Sequence, residues 1–338
     1  MGWDAARPPR ARRDDRCQPV DRRRAGSAAE DLLTIELMLD ALFPHCTYRR
    51  LAARLALDWV RGRVALGTRF SQENWQRFRT YRHIRFRCNV CEASGTPFFD
   101  FPDLKVRRLH RIGELRETLQ CRSCRSTMRH RTLAAAMLRS LSQRLARPLA
   151  SVREALAADW GDLRILDSDA LSPIAALLKP KLNYQVSSFV PGRPFGVELA
   201  PRHWNVNLEK IGFADASFDL VLTSDVMEHV RDSDAAHTEI HRILKPGGHY
   251  IFTVPYDPAC ATHIPLVDTS GPEDRFIVPP QYHGDPLSGG IIAYRVFGRG
   301  LLDDLAALGF EVEFLELDDR DALIVRGDVF DAKKASTC

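Results

Sequence analysis

Residues Phe213 to Tyr256 read FADASFDLVLTSDVMEHV and then RDSDAAHTEIHRILKPGGHYIFTVPY, and this stretch decides the fold. Phe218 to Leu222 is a short apolar run suited to a strand buried on both faces. Polar Thr223, Ser224 and Asp225 follow at its carboxyl end, the edge at which open α/β sheets bind ligands. Ser233 is placed to cap the next helix. In that helix Ala236, Ile240, Ile243 and Leu244 recur at helical spacing, so one face packs on a sheet. Lys245, Pro246, Gly247 and Gly248 stop it, and Tyr250 to Val254 forms the next buried strand.

Through Asp215, Ser217-Phe218-Asp219, Glu228-His229-Val230 and Leu244-Lys245-Pro246-Gly247-Gly248, the segment resembles the core of class I S-adenosylmethionine-dependent methyltransferases, in the type-11 group. The resemblance runs from about Arg164 to Val325. It implies an α/β domain over residues 161–328 with a seven-stranded, mostly parallel Rossmann-like sheet. It also implies S-adenosylmethionine as cofactor, held at the carboxyl ends of the first strands.

The rest of the chain is organised around that domain. Its 338 residues are 45% hydrophobic and 27% charged, as in ordinary soluble globular proteins. No apolar run approaches the roughly 20 residues that cross a bilayer. The arginine-rich N-terminus lacks the apolar centre of a secretion signal, which points to the cytoplasm and away from membranes. Residues 1–26 read as a disordered tail. Ser27 and Glu30 have capping-box spacing ahead of a helical stripe through Leu32, Ile35, Met38, Leu39 and Leu42, and further helices are expected within a helical region over 27–84. Residues 132–160 read as linking helices, with Ser151 and Glu154 as another capping pair, and 329–338 as a short tail.

Between them, residues 85–131 carry two cysteine pairs, Cys88-Asn89-Val90-Cys91 and Cys121-Arg122-Ser123-Cys124. Each C-x-x-C can fold as a tight knuckle aiming two thiolates at one metal, and two knuckles complete a closed tetrahedral site of the structural zinc type. Phe98, Phe99, Phe101 and Leu109 are available as the small core of such a zinc ribbon. The remaining cysteines are scattered, which suits a reducing compartment better than a disulfide framework.

Charge is unevenly spread. Thr47 to Arg131 holds 20 basic and 7 acidic side chains, a net +13, whereas the chain from Thr132 onward is acidic by 9. A basic module joined to an acidic domain grips a polyanion, presents solvated arginine-rich faces, or docks on its own acidic neighbour.

The resemblance assigns the cofactor site to the ends of three strands. After a first strand at Leu163 to Leu166 comes Asp167-Ser168-Asp169-Ala170-Leu171-Ser172-Pro173, a turn without glycine, in which Asp167, Ser168 and Asp169 would meet the methionine part. After the second strand, Ser187 and Ser188 stand where the family offers an acid to the ribose, and a neutral acceptor there is the weaker one. Asn207 and Leu208 stand at the adenine position, with Thr223, Ser224 and Asp225 completing the rim. Asn retains an acceptor for an adenine amine.

Methyl transfer from a sulfonium is chiefly a matter of positioning, with a general base for hydroxyl or amine acceptors. His229 is the candidate in the core segment, and His283 with Asp285, in Tyr282-His283-Gly284-Asp285-Pro286, lies where this fold closes over the acceptor. The preferred function is methylation of a small-molecule or saccharide acceptor, with a hydroxyl favoured. Two alternatives stay open: an RNA-modifying methyltransferase that grips phosphates with the basic module, and a non-catalytic zinc-stapled binding protein on a degenerate methyltransferase fold.

Overall fold

The computed structural model describes residues 79–99, 115–277, 282–283 and 290–336. The tail expected over 1–26, the capping box at Ser27, nearly all of the helical region over 27–84, and Phe101, Leu109 and Asp285 lie outside the described residues.

The central sheet contains β1 (Ile165–Asp167), β2 (Tyr184–Ser188), β3 (Glu198–Ala200), β4 (His203–Asn205), β5 (Phe218–Ser224), β6 (Leu244–Thr253), β7 (Phe310–Asp319) and β8 (Ile324–Lys334), in the order β7-β8-β6-β5-β1-β2-β4-β3. The five inner strands from β6 to β4 run parallel. The pairs β6–β8, β7–β8 and β3–β4 are antiparallel. Because β1 is flanked by β2 on one side and β5 on the other, the order reverses there, which opens a crevice at the carboxyl ends of these strands.

The sheet has eight strands and not the expected seven. The additional one, β3, is a three-residue edge strand with Glu198 and Ala200 exposed, joined to β4 through Arg202 at φ +59. Backbone pairing holds it, with Gly196 N and Asn205 N donating to Asn205 O and Val197 O at 2.8 Å. An edge strand that buries little leaves no apolar pattern to read. The C-terminal boundary also moves. β8 continues to Lys334 with Val329, Phe330 and Ala332 buried, where polar Asp331, Lys333 and Lys334 suggest a tail.

Six helices are described: α1 (Leu115–Thr118), α2 (Met128–Arg144), α3 (Val152–Ala157), α4 (Pro173–Leu178), α5 (Ser233–Ile243) and α6 (Gly300–Ala307). The cap of α5 is Asp232, whose Oδ1 accepts from Ala235 N at 2.9 Å, and Ser233 is the first helical residue. The helix ends at Ile243. Leu244 is already extended, so Lys-Pro-Gly-Gly forms the bulged start of β6. Gly247 takes φ +72 there, and a Cβ on Gly248 would come within 2.8 Å of the Lys245 carbonyl oxygen. Lys245 Nζ turns back to Asp219 Oδ2 at 2.7 Å. Helix α2 starts four residues earlier than its apolar run because Thr127 and His130 cap each other reciprocally.

One hydrophobic core runs without a break from Phe86, Val90 and Leu119 of the cysteine region, through Leu133 and Met137 of α2, to Leu220, Ile251 and Val329 of the sheet. The opposite face buries Val221, Phe252 and Phe330 under Ile240, Leu301 and Leu305. At about 1.5–3 kcal/mol for each large apolar side chain buried, this continuity fixes the cysteine region against the sheet and determines what reaches its rim.

Candidate functional site

The first cysteine pair lies in a hairpin between strands Phe86–Arg87 and Ser94–Gly95, and the second follows Leu119–Gln120, which pairs with Phe98–Phe99. The two turns repeat each other. Glu92 N donates to Cys88 O at 2.8 Å and Arg125 N to Cys121 O at 3.0 Å. Glu92 and Arg125 both hold positive φ, +66 and +62, a conformation that costs a side-chain-bearing residue about 1–2 kcal/mol. The four Sγ atoms lie within 4.8 Å of one another, with Cys88–Cys124 at 3.8 Å and Cys91–Cys121 at 3.7 Å. Tetrahedral metal–sulfur bonds of about 2.3 Å set sulfur–sulfur separations of about 3.8 Å, so the cluster has the dimensions of a closed four-thiolate site.

Beside it Arg131 is fully buried. Its guanidinium donates to the carbonyls of Ala322 and Ser126 at 2.8 Å, Leu323 at 3.1 Å and Leu119 at 3.2 Å, and lies 5.0 Å from the Phe86 ring centroid. Burial lowers its pKa to about 10 against the opposing pull of the neighbouring cysteine sulfurs. This side chain ties the second knuckle to the β7–β8 turn.

A second ionic cluster occupies the sheet's carboxyl rim. Asp225, just past β5, takes φ +50. Its carboxylate accepts from both terminal nitrogens of Arg116, one at 2.6 Å, and from Thr253 Oγ1 at 3.0 Å, and lies 3.4 Å from Arg129 Nε. Arg129 also donates to Ser224 Oγ and, at 2.7 Å, to Glu117 Oε1. Burial alone would raise the Asp225 carboxyl, but the Arg116 and Arg129 guanidiniums outweigh it and hold it well below the usual range. These four side chains remain 14–36% exposed, so the cluster opens to solvent. Next to it His130 Nε2 lies 3.5 Å from Asp169 Oδ2.

Arg116, Glu117, Arg129 and His130 come from α1 and α2, upstream of the sheet, and no local motif marks them. The charge asymmetry is their one trace in the sequence.

The sequence-derived rim residues divide by direction. Asp167, Ser187 and Thr223 are buried within the sheet. Asp167 accepts from the Tyr184 hydroxyl, and burial, with the Asp169 charge nearby, raises its pKa from 3.8 to about 7. Thr223 Oγ1 meets the Tyr250 hydroxyl at 2.9 Å. Ser168, Asp169, Ser188, Ser224 and Asp225 are brought together along the carboxyl edge, with Asn207 and buried Leu208 beyond β4. Ser188 Oγ lies 2.8 Å from His203 Nε2. Asn207 Oδ1 accepts from Glu209 N at 3.0 Å in a side-chain turn. Asn205 shapes this edge too: it is fully buried and bonds the Val190 amide and the carbonyls of Val190, Arg193 and Pro194. The loop it holds carries the stacked rings of Phe189 and Phe195, with centroids 5.4 Å apart.

His229 sits in a 3-10 turn, Met227–His229, directly beyond the rim. Its Nδ1 lies 2.7 Å from the Ile292 carbonyl oxygen. A carbonyl only accepts, so Nδ1 carries the proton and Nε2 is the basic nitrogen of the neutral ring. Nε2 is 3.7 Å from Glu228 Oε1. Glu228 is fully buried, and burial, together with the Asp225 charge, raises its pKa well above the ordinary value. The chain returning after β6 is stitched to this turn: Tyr294 N donates to Glu228 O at 2.7 Å, and Arg295 donates to the carbonyls of Val230 and Arg231 at 2.6 Å. The backbone of His283 pairs with Ile291, one residue from the carbonyl that fixes His229.

Residues 192–252 match a family model described as a methyltransferase domain. A dimethylglycine N-methyltransferase of Parasynechococcus marenigrum is 41% identical over 60 residues, which are 18% of this chain and 21% of that protein. This chain therefore spans about a fifth of the length of that curated relative. Among solved structures, an S-adenosylmethionine-dependent methyltransferase from Mesorhizobium loti aligns with a TM-score of 0.35 at 19% identity, covering 54% of this chain and 94% of that one. The 1,6-didemethyltoxoflavin-N1-methyltransferase of Burkholderia thailandensis aligns with a TM-score of 0.30 at 17% identity, covering 60% and 88%. Among the described residues no helix is long and apolar enough to cross a membrane. The stretch that builds β3, β4, β5 and most of β6 is thus the part of this chain that matches a methyltransferase domain.

Proposed function

We propose that this chain transfers a methyl group from S-adenosylmethionine to a small-molecule or saccharide acceptor, and that its four cysteines hold a structural zinc. The observation that carries the reading is the methyltransferase-domain match over residues 192–252, which form the strands beside the reversal of sheet order at β1. The donor set at that rim suits the proposed cofactor. Ser188 and Asn207 offer a hydroxyl and an amide to a nucleoside, and Phe189, next to Ser188 in the chain, exposes its ring. Asp169, Asp225 and the two arginines offer charges of both signs to an amino-acid group. When bound, S-adenosylmethionine supplies a methyl group activated on a sulfonium. For a hydroxyl acceptor, His229 Nε2 is the base, held in that tautomer by the Ile292 carbonyl. His283 and Asp285 are assigned to positioning the acceptor.

Zinc would take Cys88, Cys91, Cys121 and Cys124 as ligands and, with no position left open, act as a staple. The cytoplasm, where thiols stay reduced, suits this assignment.

The arginine directions weigh against an RNA substrate. Arg116, Arg129 and Arg131 of the basic module all donate to protein acceptors. Arg116 and Arg129 are thus paired with Asp225 of the acidic domain, and Arg131 serves buried carbonyls. The non-catalytic reading draws on a different observation, the inward direction of Asp167 in a glycine-free turn. Calorimetry separates the two: measurable heat with S-adenosylmethionine below millimolar concentration is expected, and its absence at millimolar ligand overturns the enzymatic reading.

A further inference from the structure

We propose that Arg116 and Arg129 receive the amino-acid end of the methyl donor, replacing the backbone contacts that a glycine-rich turn would make. This inference rests on the donor reading above and assigns residues within the same site.

The turn after β1 has little to offer a carboxylate. Ser168 N donates to Leu222 O at 3.0 Å, Asp169 N to Asp167 Oδ1 at 2.8 Å and Ser172 N to Asp169 O at 3.0 Å, so these amides are already engaged. A free α-amino acid group is a zwitterion at neutral pH, and its complement is a guanidinium next to a carboxylate. The rim beside this turn presents that complement: Arg116 and Arg129 between Asp225 and Glu117, with Asp169 adjoining through His130. Arginine is suited to the role because its planar fork binds a carboxylate through two parallel hydrogen bonds.

Three features separate this cluster from an ordinary ionic staple. It lies at the carboxyl end of β5 beside β1, at the reversal of strand order where open α/β sheets take their ligands. Its arginine side chains are 14–20% exposed, so a ligand can reach them. Asp225, which anchors both, is held at φ +50, backbone strain of the kind that concentrates at ligand clamps. An entering zwitterion would exchange like partners for like: its carboxylate takes a guanidinium from Asp225 or Glu117, and its ammonium takes the carboxylate so released. Net charge in the site is unchanged, so no unpaired buried charge is created.

The test is calorimetry on the full chain with S-adenosylhomocysteine, which keeps the amino-acid end, and 5′-methylthioadenosine, which lacks it. The native chain should bind the first more tightly by about 10- to 100-fold, the range of a hydrogen-bonded charge pair. Arg116→Gln and Arg129→Gln should each weaken S-adenosylhomocysteine by about tenfold or more and leave 5′-methylthioadenosine within about twofold. Equal affinity of the native chain for the two ligands overturns the proposal without any variant, which covers the case of a variant that does not fold. Variants that weaken both ligands alike, or neither, overturn it as well. Binding of neither ligand by the native chain overturns the donor reading itself, and that outcome is distinct from the others.

Discussion

The Arg131 guanidinium donates through Nε to the carbonyl of Ala322 at 2.8 Å, joining the start of α2 to the turn between β7 and β8 across 191 residues of chain. It also serves the carbonyls of Leu119, Ser126 and Leu323, so one buried side chain satisfies acceptors on the cysteine region and on the sheet at once.

Replacing Arg131 with Met keeps the volume but leaves several buried carbonyls without this donor. Each costs about 1–3 kcal/mol when left unsatisfied, so a loss of about 3–5 kcal/mol in urea unfolding is expected. A loss below about 1 kcal/mol would show that water or relaxation replaces the arginine.

Metal content tests the cysteine cluster. The purified chain is expected to carry one zinc, and Cys88→Ser and Cys121→Ser should each lose most of it and unfold at lower temperature, because structural zinc binding is folding free energy. Chelation of the native chain should lower its melting temperature as well. Full zinc content in both variants would remove the four-thiolate site.

The paired turns allow a test in the stabilising direction. Glu92 and Arg125 hold φ +66 and +62, where glycine has no steric penalty. Arg125→Gly should add about 1 kcal/mol of stability, reduced by whatever the stacking of Arg125 on Phe98 contributes, since its guanidinium lies 4.0 Å from that ring centroid. Glu92→Gly gives up a contact with Arg87 at 3.3 Å and the hydrogen bond that the buried Ser151 hydroxyl donates to Glu92 Oε1 at 2.8 Å, a loss of about 0.5–1.5 kcal/mol that offsets the backbone gain, so little net change is expected. Thermal melts read both.

Asp167 sets a pH dependence. Folding raises its pKa from 3.8 to about 7, chiefly through burial. Between about pH 4 and pH 7 the unfolded chain has released this proton while the folded chain still holds it, so stability contributed by the protonated group is full at low pH and is lost as pH rises through that window. Asp167→Asn keeps an acceptor for the Tyr184 hydroxyl and removes the titration. The variant should match the native chain near pH 4 and exceed it by about 2–4 kcal/mol at pH 8. Identical stability–pH curves would show that Asp167 ionises normally.

The β5–α5–β6 unit was legible because its signals are local: an apolar run with a polar end, apolar residues at helical spacing, and a proline–glycine stop. Both knuckles were legible for the same reason, since three-residue spacing constrains where two thiols point. The edge strand β3 was not, because it buries little. The last residues of β8 were not, because Asp331 and Lys333 hide the buried Phe330 and Ala332 in a polar stretch. Of the rim, the sheet-borne residues followed from strand ends, but strand ends do not say which side chains turn inward. Asp167 and Thr223 do so because Tyr184 and Tyr250 carry hydroxyls into the core that need partners.

By itself, the sequence determined that an α/β sheet would form, where its central strands lie, and that four thiols would meet. These depend on periodicity and short spacings, which any chain with the same pattern must obey. Tertiary structure alone decided where Arg116 and Arg129 go. Arg116 finds Asp225 across 109 residues because a shared hydrophobic core presses the cysteine region against the sheet and so brings the charges within reach of each other.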